Sequence, residues 1–249
     1  MRINRFLARA GVSSRRGAEE LVRAGRVTVN GRTVTRLATT VDPEHDTVEL
    51  DGSPVTLPET FTTIILNKPR GVVVTMDDPQ GRPTVADLTR DVPARVVPVG
   101  RLDADSEGLL IMTDDGTLAH RIAHPSFELD KVYEVTARGV LQEGERRRLE
   151  MGVELDGRTT SPASVTVMST ERNRTKAVVT IHEGRKRQVR RMFETVGHPV
   201  RALRRVRIGP VELGDLRPAS WRRLSEKELN ALAAAVGLDR TPETPCSDT

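Results

Sequence analysis

The spacing of apolar residues changes once along this chain, and that change constrains the fold more than any other feature. Through residue 34 the apolar positions recur at helical spacing and then alternate around a turn, whereas from Phe61 onward short apolar runs are separated by turns. The two patterns require different secondary structure. A chain of 249 residues has room for one small and one medium domain. We therefore predict an α+β protein with a domain boundary near Pro58.

Residues 1–58 predict a small domain of two helices and a β-hairpin. Apolar residues at helical spacing in residues 3–10 predict the first helix, and Ser13-Ser14 can cap a second helix that Gly25 ends. The dipeptide Asn30-Gly31 then separates two stretches of alternating residues. It is the strongest short signal for a hairpin, because both of its turn positions need positive φ.

Residues 59–237 predict a larger domain in which short strands alternate with a few helices. The predicted strands are Thr63–Leu66, Gly71–Thr75, Leu109–Thr113, Lys131–Ala137, Ser164–Met168, Ala177–His182 and Arg201–Ile208. The predicted helices are Leu118–Ala123, Gly144–Met151, Arg187–Val196 and Glu226–Val236. Residues 238–249 are mostly polar and contain two prolines, so we expect a flexible tail there.

Positive charge is concentrated in two stretches of the sequence. Residues 1–36 carry a net charge of +7 and residues 185–223 a net charge of +9, although the whole chain carries only +4. The remainder is therefore acidic. Two basic stretches on an acidic protein favour a polyanionic partner, because each neutralised phosphate releases condensed counterions. For either stretch alone, a solvated arginine face explains the charge equally well.

Several classes of protein and site are excluded by the sequence. No apolar run is long enough to cross a membrane and no signal-peptide pattern follows Met1, so we expect a soluble, cytoplasmic protein. The single cysteine, Cys246, excludes an internal disulfide and a cysteine-cluster metal site. His120 and His124 are four residues apart but lack the glutamate of the metalloprotease motif, and neither a P-loop nor a GxGxxG motif is present. We expect neither a metal nor a nucleotide cofactor.

Carboxylates are grouped in one glycine-flanked segment. Gly100-Arg101-Leu102-Asp103 continues through Asp105 and Glu107 into an apolar strand, an arrangement that can present a side chain rigidly at a cleft. Taken alone, the pattern is also typical of a loop aspartate that binds turn amides. A pair formed with Asp105 would need a specific separation of the carboxyl groups, which the sequence does not supply.

Two other segments have more than one interpretation. Residues 182–193 place five basic side chains where a predicted strand meets a predicted helix, which suits either a phosphate site or an amphipathic helix with a wet basic face. Tyr133 is the only tyrosine, and strand alternation gives it the same face as Lys131 and Val135. By itself a tyrosine there indicates core packing.

Four motifs, taken in order, give the chain a family resemblance. They are Asn67-Lys68-Pro69-Arg70-Gly71, Gly100-Arg101-Leu102-Asp103, Lys131-Val132-Tyr133-Glu134-Val135, and the run from Glu183 to Met192. Together they resemble the RsuA/RluB branch of the ribosomal RNA pseudouridine synthases. Residues 2–50 are similar to the RNA-binding domain shared with a small-subunit ribosomal protein, through Ala8–Arg16 and Ala24–Gly31.

The resemblance implies a fold and a set of catalytic roles. Residues 59–237 would form the pseudouridine synthase domain, with a mixed, mostly antiparallel sheet, and residues 1–58 would form the RNA-binding domain. Asp103 would assist cleavage of the glycosidic bond, and Arg190 would pair with Asp103. Tyr133 would contact the uracil and could remove its C5 proton. Isomerisation involves no redox change and no group transfer, so no cofactor is expected.

The resemblance also implies RNA contacts and a partner. The residues expected to bind RNA are Arg15, Arg16, Arg26, Arg101, Arg185, Lys186, Arg187, Gln188 and Arg191. The substrate would be ribosomal RNA, of the large subunit, or a pre-ribosomal particle, bound by a monomer. Two alternatives stay open: a non-catalytic assembly factor that kept the RNA-binding surfaces, and a hydrolase using Asp103 with Asp105 or Glu107.

Overall fold

The computed structural model describes residues 1–58 and 60–239 and divides into two compact units. The N-terminal unit comprises Met1–Thr62 with the short stretches Pro93–Arg95 and Asp114–Gly116. The large unit comprises Thr63–Val92, Val96–Thr113 and the chain from Thr117 onward. Most of the predicted tail, residues 240–249, lies outside the described residues.

The N-terminal unit contains two helices and a small antiparallel sheet. Its elements are α1 (Ile3–Arg9), α2 (Arg15–Arg23), β1 (Val27–Val29), β2 (Arg32–Val34), β3 (Val48–Leu50) and β4 (Ser53–Pro54). The strands are ordered β2-β1-β3-β4. Side chains from both helices and from the sheet form one core, which includes Ile3, Phe6, Leu7, Val22 and Val27.

Local sequence signals account for these elements. The hydroxyl of Ser14 accepts a hydrogen bond from the amide of Gly17 at 3.0 Å and caps α2. Asn30 and Gly31 have φ values of 51° and 72°, and they connect β1 to β2 in a two-residue turn. The two predicted helices and the hairpin are confirmed.

The large unit contains the remaining elements. Its strands are β5 (Thr63–Lys68), β6 (Val97–Pro98), β7 (Glu107–Thr113), β8 (Lys131–Arg138), β9 (Glu154–Leu155), β10 (Arg158–Thr159), β11 (Ser164–Glu171), β12 (Arg174–Ile181), β13 (Val200–Ile208), β14 (Val211–Glu212) and β15 (Trp221–Arg223). Its helices are α3 (Gly116–Ala123), α4 (Glu143–Met151), α5 (Gln188–Thr195) and α6 (Glu226–Ala235), with 3₁₀ turns at Asp87–Thr89 and Pro125–Phe127.

Nine strands of the described chain form one mixed sheet. Its order is β11-β12-β8-β13-β7-β5-β15, with β14 paired to β13 and β6 paired to β7. Only the β13–β7 pair is parallel among these pairings. The strands β9 and β10 form a separate hairpin. The predicted α+β fold with a mostly antiparallel sheet is confirmed.

Both faces of the central strands are buried. On β5, Ile64 and Leu66 contribute to one core and Ile65 to the other, as strand alternation requires. Helices α4 and α5 supply Leu149, Met192 and Phe193 to the first core. Residues of α3 and α6 belong to the second core. The cleft described below therefore opens in a sheet that is packed on both sides.

One predicted strand, Gly71–Thr75, is wrong. Val73 forms only an isolated bridge with Thr84. Its amide donates to the carbonyl of Pro83, and its carbonyl accepts from the amides of Thr75 and Val85 in a local loop. Three consecutive valines, Val72 to Val74, have high strand propensity, but no partner strand in the described chain pairs with them. No helix in the described residues is both long and apolar enough to cross a membrane.

Candidate active site

A cleft of about 530 Å³ lies within the large unit. It is lined by the loop before β7, by residues of β8 and β13, and by the segment that leads from β12 into α5. Asp103, Tyr133, Arg101, Arg185, Lys186, Arg187 and Gln188 all contribute to this lining. The cleft is large enough for a nucleotide, and it unites three motifs that are far apart in the sequence.

The loop that carries Asp103 is fixed by its backbone. The amide of Ser106 donates to the carbonyl of Asp103 at 3.0 Å, and the amide of Gly71 donates to the carbonyl of Ala104 at 2.7 Å. The side chain of Asp103 is 35% exposed. The carboxylate is thus presented at the cleft by a loop whose own polar groups are bonded.

The loop ends where β7 meets β13 at very close range. Gly108 has φ of +102°, and a Cβ atom there would lie 2.2 Å from the carbonyl oxygen of Arg205. Only glycine allows this approach. The close approach connects the Asp103 loop directly to β13.

Asp105 is the carboxylate that organises the basic side chains around the loop. Both terminal nitrogens of Arg187 donate to its oxygens, at 3.0 and 3.1 Å. Arg190 lies 3.4 Å from the same carboxylate through Nε, and its Nη2 donates to the Asp105 carbonyl at 2.7 Å. Burial raises the pKa of Asp105, but the Arg187 hydrogen bond and the charges of Arg190 and Arg187 outweigh it and lower the pKa below its ordinary value.

The expected ion pair between Arg190 and Asp103 is therefore corrected: the contact of Arg190 is with Asp105. Arg190 is almost fully buried and reaches under the loop, where its donors also meet the carbonyl of Val200 at 3.1 Å. Asp103 has instead a long contact with Arg187, 4.0 Å from Oδ2 to Nη1. Both aspartates therefore lie near the start of α5, and Asp105 makes the closer contacts.

The backbone of Arg187 is in an unusual conformation. It has φ of 52° and ψ of 31°, immediately before the first residue of α5. A non-glycine residue in this left-handed region costs roughly 1 kcal/mol or more, and such residues concentrate at functional sites. The paired hydrogen bonds to Asp105 help to hold Arg187 in this conformation.

Tyr133 lies on the floor of the cleft. It is 8% exposed and pairs across the sheet with Val179 on β12 and with Arg205 on β13. Cross-strand partners share a face, and so do Tyr133 and Lys131, which are two residues apart on β8. The predicted common face is confirmed.

Five of the residues predicted to bind RNA have intramolecular partners. Arg187 pairs with Asp105 and Arg26 with Asp51, and the other three are Arg185, Arg191 and Gln188. Arg185 donates to the carbonyls of Arg158 and Thr159 at 3.0 and 2.8 Å. Arg191 pairs with Asp156 at 2.6 and 2.8 Å. The side-chain oxygen of Gln188 accepts from the Arg185 amide at 2.9 Å. These contacts tie the β9–β10 hairpin to the start of α5.

Arg101 and Lys186 are the exposed cations of the cleft. Neither forms a hydrogen bond or an ion pair with another described residue of the chain. In the N-terminal unit, Arg15 and Arg16 are exposed at the start of α2. Arg26 is also exposed, but it forms a two-point contact with Asp51.

Sequence reasoning assigned no role to Lys68. It is completely buried, and its ammonium group donates to the carbonyls of Pro69 and Val72 at 2.9 and 2.8 Å. Burial lowers the pKa of Lys68 to about 8, although the charges of Asp105, Glu107 and Asp103 oppose this change. The sequence signal that could have identified Lys68 as buried is its position at the end of an apolar strand.

Sequence reasoning also assigned no role to Arg205, and it mentioned Lys131 only for its face. Both line the cleft beside Tyr133. Arg205 belongs to a run of arginines on β13, and nothing in the sequence separates the buried members of that run from the exposed ones.

Comparison with known proteins now defines the family. Residues 62–195 match the family described as RNA pseudouridylate synthase, which is more than half of the chain, and residues 1–48 match the S4 domain. The chain belongs to the RNA pseudouridylate synthase family. It is a pseudouridine synthase, and its N-terminal residues form an S4 domain. This is the family that the four sequence motifs indicated.

Two relatives and one solved structure support this assignment over almost the whole chain. A protein of Aquifex aeolicus (strain VF5) named an uncharacterized RNA pseudouridine synthase is 46% identical, and the match covers 97% of each chain. Ribosomal large subunit pseudouridine synthase B of Bacillus subtilis (strain 168) is 40% identical over 94% of this chain and 96% of its own. A crystal structure of a pseudouridylate synthase has a TM-score of 0.67, with 32% identity over 93% of this chain and 99% of that chain.

Proposed function

We propose that this pseudouridine synthase isomerises one specific uridine in the ribosomal RNA of the large subunit, with Asp103 as the catalytic carboxylate. The observation that carries the proposal is the rigid, glycine-flanked loop that presents a partly exposed Asp103 at a nucleotide-sized cleft. The similarity to the large-subunit enzyme of Bacillus subtilis supports the substrate.

The chemistry explains why a carboxylate is needed. The C1′–N1 bond of the uridine breaks, the uracil turns, C5 bonds to C1′, and the C5 proton leaves. The carboxylate of Asp103 assists the cleavage at C1′, either as a nucleophile or by accepting a proton. No atom is gained or lost overall, so the reaction requires no cofactor.

Arg190 acts through the loop rather than on the substrate. It binds the carbonyl and the carboxylate of Asp105 from beneath, and Arg187 binds the same carboxylate from the side. With Asp105 held ionised by two guanidinium groups, Asp103 is the carboxylate left for chemistry. This arrangement argues against a hydrolase that shares a proton between Asp103 and Asp105.

Tyr133 contacts the flipped uracil. Its ring offers a stacking surface on the floor of the cleft, and its hydroxyl is the group proposed to remove the C5 proton. Arg101 and Lys186, which have exposed charges at the cleft, hold the flipped nucleotide and its phosphates.

Residues 1–58 serve as the docking domain for structured RNA, and residues 59–237 as the catalytic domain. Arg15 and Arg16 present free charges to phosphates. Arg26, Arg185, Arg187, Gln188 and Arg191 would contact RNA while keeping or exchanging their present partners. One chain supplies the whole cleft lining, so we propose a monomer, acting in the cytoplasm on ribosomal RNA or a pre-ribosomal particle.

The test compares Asp103→Asn with a matched variant, Asp215→Asn, at an exposed position that is absent from the cleft lining. Pseudouridines are first mapped in ribosomal RNA from cells with and without the gene, which identifies the target. Purified Asp103→Asn protein should form no pseudouridine at that position and should bind the RNA with nearly unchanged affinity. Asp215→Asn should behave like the unaltered enzyme.

Turnover by purified Asp103→Asn protein would contradict the catalytic assignment. Identical pseudouridine maps in the presence and absence of the gene would contradict the ribosomal RNA substrate.

A further inference from the structure

Two cations flank Tyr133 on the floor of the cleft. Lys131 is two residues away on the same face of β8, and Arg205 lies directly across on β13. The ammonium group of Lys131 donates to the carbonyls of Leu129 and His182 at 2.8 and 3.0 Å. The Nε of Arg205 donates to the carbonyl of Leu109 at 2.8 Å. Both side chains line the cleft.

The second terminal nitrogen of Arg205 is unusual. Arg205 is only 4% exposed, yet its buried Nη2 has no hydrogen-bond partner anywhere in the described chain. An unsatisfied buried donor costs about 1–3 kcal/mol, and more when it is charged. Arg205 belongs to the cleft lining, so a ligand acceptor that reaches its Nη2 would satisfy this donor.

The two cations also oppose each other. The pKa of Lys131 is lowered by burial and, in addition, by the charge of Arg205, and only Asp130 acts in the other direction. The acceptors that both side chains use are backbone carbonyls, which carry no net charge. A ligand that brings or develops negative charge at this point would relieve the repulsion.

The reaction in the proposed function develops such a charge. When the C1′–N1 bond breaks, its electron pair stays with the base and gives a uracil anion, whose charge is delocalised onto O2 and O4. We propose that Lys131 and Arg205 form an oxyanion site that stabilises the uracil anion during its rearrangement. This inference rests on the proposed function.

The electron balance is complete without another reactant. The pair received from the C1′–N1 bond is used again when C5 bonds to C1′, the C5 proton then leaves, and N1 gains a proton. Stacking on Tyr133 would bring the edges of the uracil toward the two flanking cations. Donors that are already in place for the charge of the transition state stabilise it without reorganisation.

The test measures the single-turnover rate of C1′–N1 cleavage in two RNAs that differ only at the target, which is uridine or 5-fluorouridine. The fluorinated base has no C5 proton to lose, so cleavage is the step that the two RNAs share. Fluorine withdraws electrons and stabilises the base anion itself, so the enzyme's oxyanion site matters less. The variant Lys131→Gln keeps donors for the two carbonyls but loses the charge, and Lys131→Arg keeps the charge. The matched control is Lys176→Gln, at an exposed lysine of β12 that is absent from the cleft lining.

We expect Lys131→Gln to slow the uridine reaction by about tenfold to hundredfold, and to slow the 5-fluorouridine reaction clearly less. The affinity for RNA should not change, Lys131→Arg should recover most of the rate, and Lys176→Gln should have no effect. Thermal unfolding shows whether each variant folds. If Lys131→Gln does not fold, Arg205→Gln is compared on the same two RNAs instead.

Equal slowing with both RNAs would overturn the proposal. So would a loss that appears only as weaker binding with a smaller salt dependence, since that is the behaviour of a site for a backbone phosphate. If the unaltered enzyme forms no pseudouridine in the target RNA, the proposed function fails first. If the unaltered enzyme forms pseudouridine but the variants slow the reaction equally with both RNAs, the proposed function stands and only the oxyanion site is wrong.

Discussion

Lys68 carries a buried charge close to the carboxylates of the Asp103 loop. Burial lowers its pKa from 10.5 to about 8, so between these values the unfolded chain binds more protons than the folded one. Stability therefore rises with pH across this window, and the contribution is lost again as the pH falls to 8. The three loop carboxylates reduce the cost of the charge but do not remove it.

The expected gain in the free energy of unfolding from this group is about 2 kcal/mol between pH 7 and pH 9.5. Urea denaturation at both pH values gives the change in the free energy of unfolding for the unaltered protein and for Lys68→Met. The difference between these two changes is the contribution of Lys68. Lys227→Met, at an exposed lysine of α6, is the control and should keep the full pH dependence. The same pH dependence in Lys68→Met would contradict the assignment.

Tyr133 permits a separate test of its hydroxyl. Tyr133→Phe keeps the ring that would stack on uracil, so the Michaelis constant should change little, whereas turnover should fall if the hydroxyl removes the C5 proton. A general base of this kind contributes about 10²- to 10⁴-fold. Normal turnover in steady-state assays of Tyr133→Phe would leave Tyr133 a stacking role alone.

At the scale of residues, the sequence could nominate side chains but not their partners. Asp103 and Tyr133 stand in short recognisable motifs, and the structure places both at one cleft. The contact of Arg190 with Asp105 depends on which way the loop turns, which is set by contacts 82–85 residues apart. The buried Nη2 of Arg205 has no hydrogen-bond partner among the described residues because of tertiary packing, and no local sequence pattern predicts that packing.

Among the elements, the junction of β7 with β13 leaves no room for a side chain at position 108. An Ala Cβ at position 108 would lie 2.2 Å from the carbonyl oxygen of Arg205, and the φ of +102° is unfavourable for any residue with a side chain. The backbone oxygen cannot move aside at low cost, so Gly108→Ala should cost about 1–3 kcal/mol for overpacking and about 1–3 kcal/mol more for the backbone conformation. Activity should fall with it, because the Asp103 loop ends at this glycine.

The matched control is Gly144→Ala in α4. Position 144 has ordinary helical geometry, and a Cβ atom added there would enter open space with no atom within 4 Å. Alanine there should stabilise the protein by about 0.4–1 kcal/mol by restricting the unfolded chain. Urea denaturation should thus give opposite signs for the two substitutions, and a neutral Gly108→Ala would contradict the close-approach argument.

Long helices and strands could be predicted from the sequence more readily than short ones. The helices and long strands carry several periodic residues each, and α5 buries Val189, Met192 and Phe193 as its spacing predicts. The two-residue strands of the large unit, β6, β9, β10 and β14, are defined only by their partners, so the sequence contains no signal for them. Gly71–Thr75 has the valines typical of a strand but lacks a partner strand in the part of the chain that the structure describes.

For the whole molecule, charge distribution is the feature through which the N-terminal unit should affect activity. In the second basic stretch most arginines near the cleft already have internal partners, such as Asp105 and Asp156. In the N-terminal unit, Arg15 and Arg16 are exposed. The exposed arginines of the N-terminal unit should therefore supply most of the affinity for long RNA. The arginines at the cleft that have internal partners should position the RNA.

Replacing both charges, Arg15→Gln with Arg16→Gln, should weaken binding of long RNA and leave turnover at saturating RNA unchanged. Each lost phosphate contact lowers the slope of log affinity against log salt by about 0.7–0.9, so the pair should lower it by about 1.5. The control, Arg147→Gln with Arg148→Gln, removes two exposed charges from α4, outside the cleft lining, and should leave the slope unchanged. If both double variants lower the slope equally, the affinity comes from the general charge of the protein, and the docking role of the N-terminal unit is wrong.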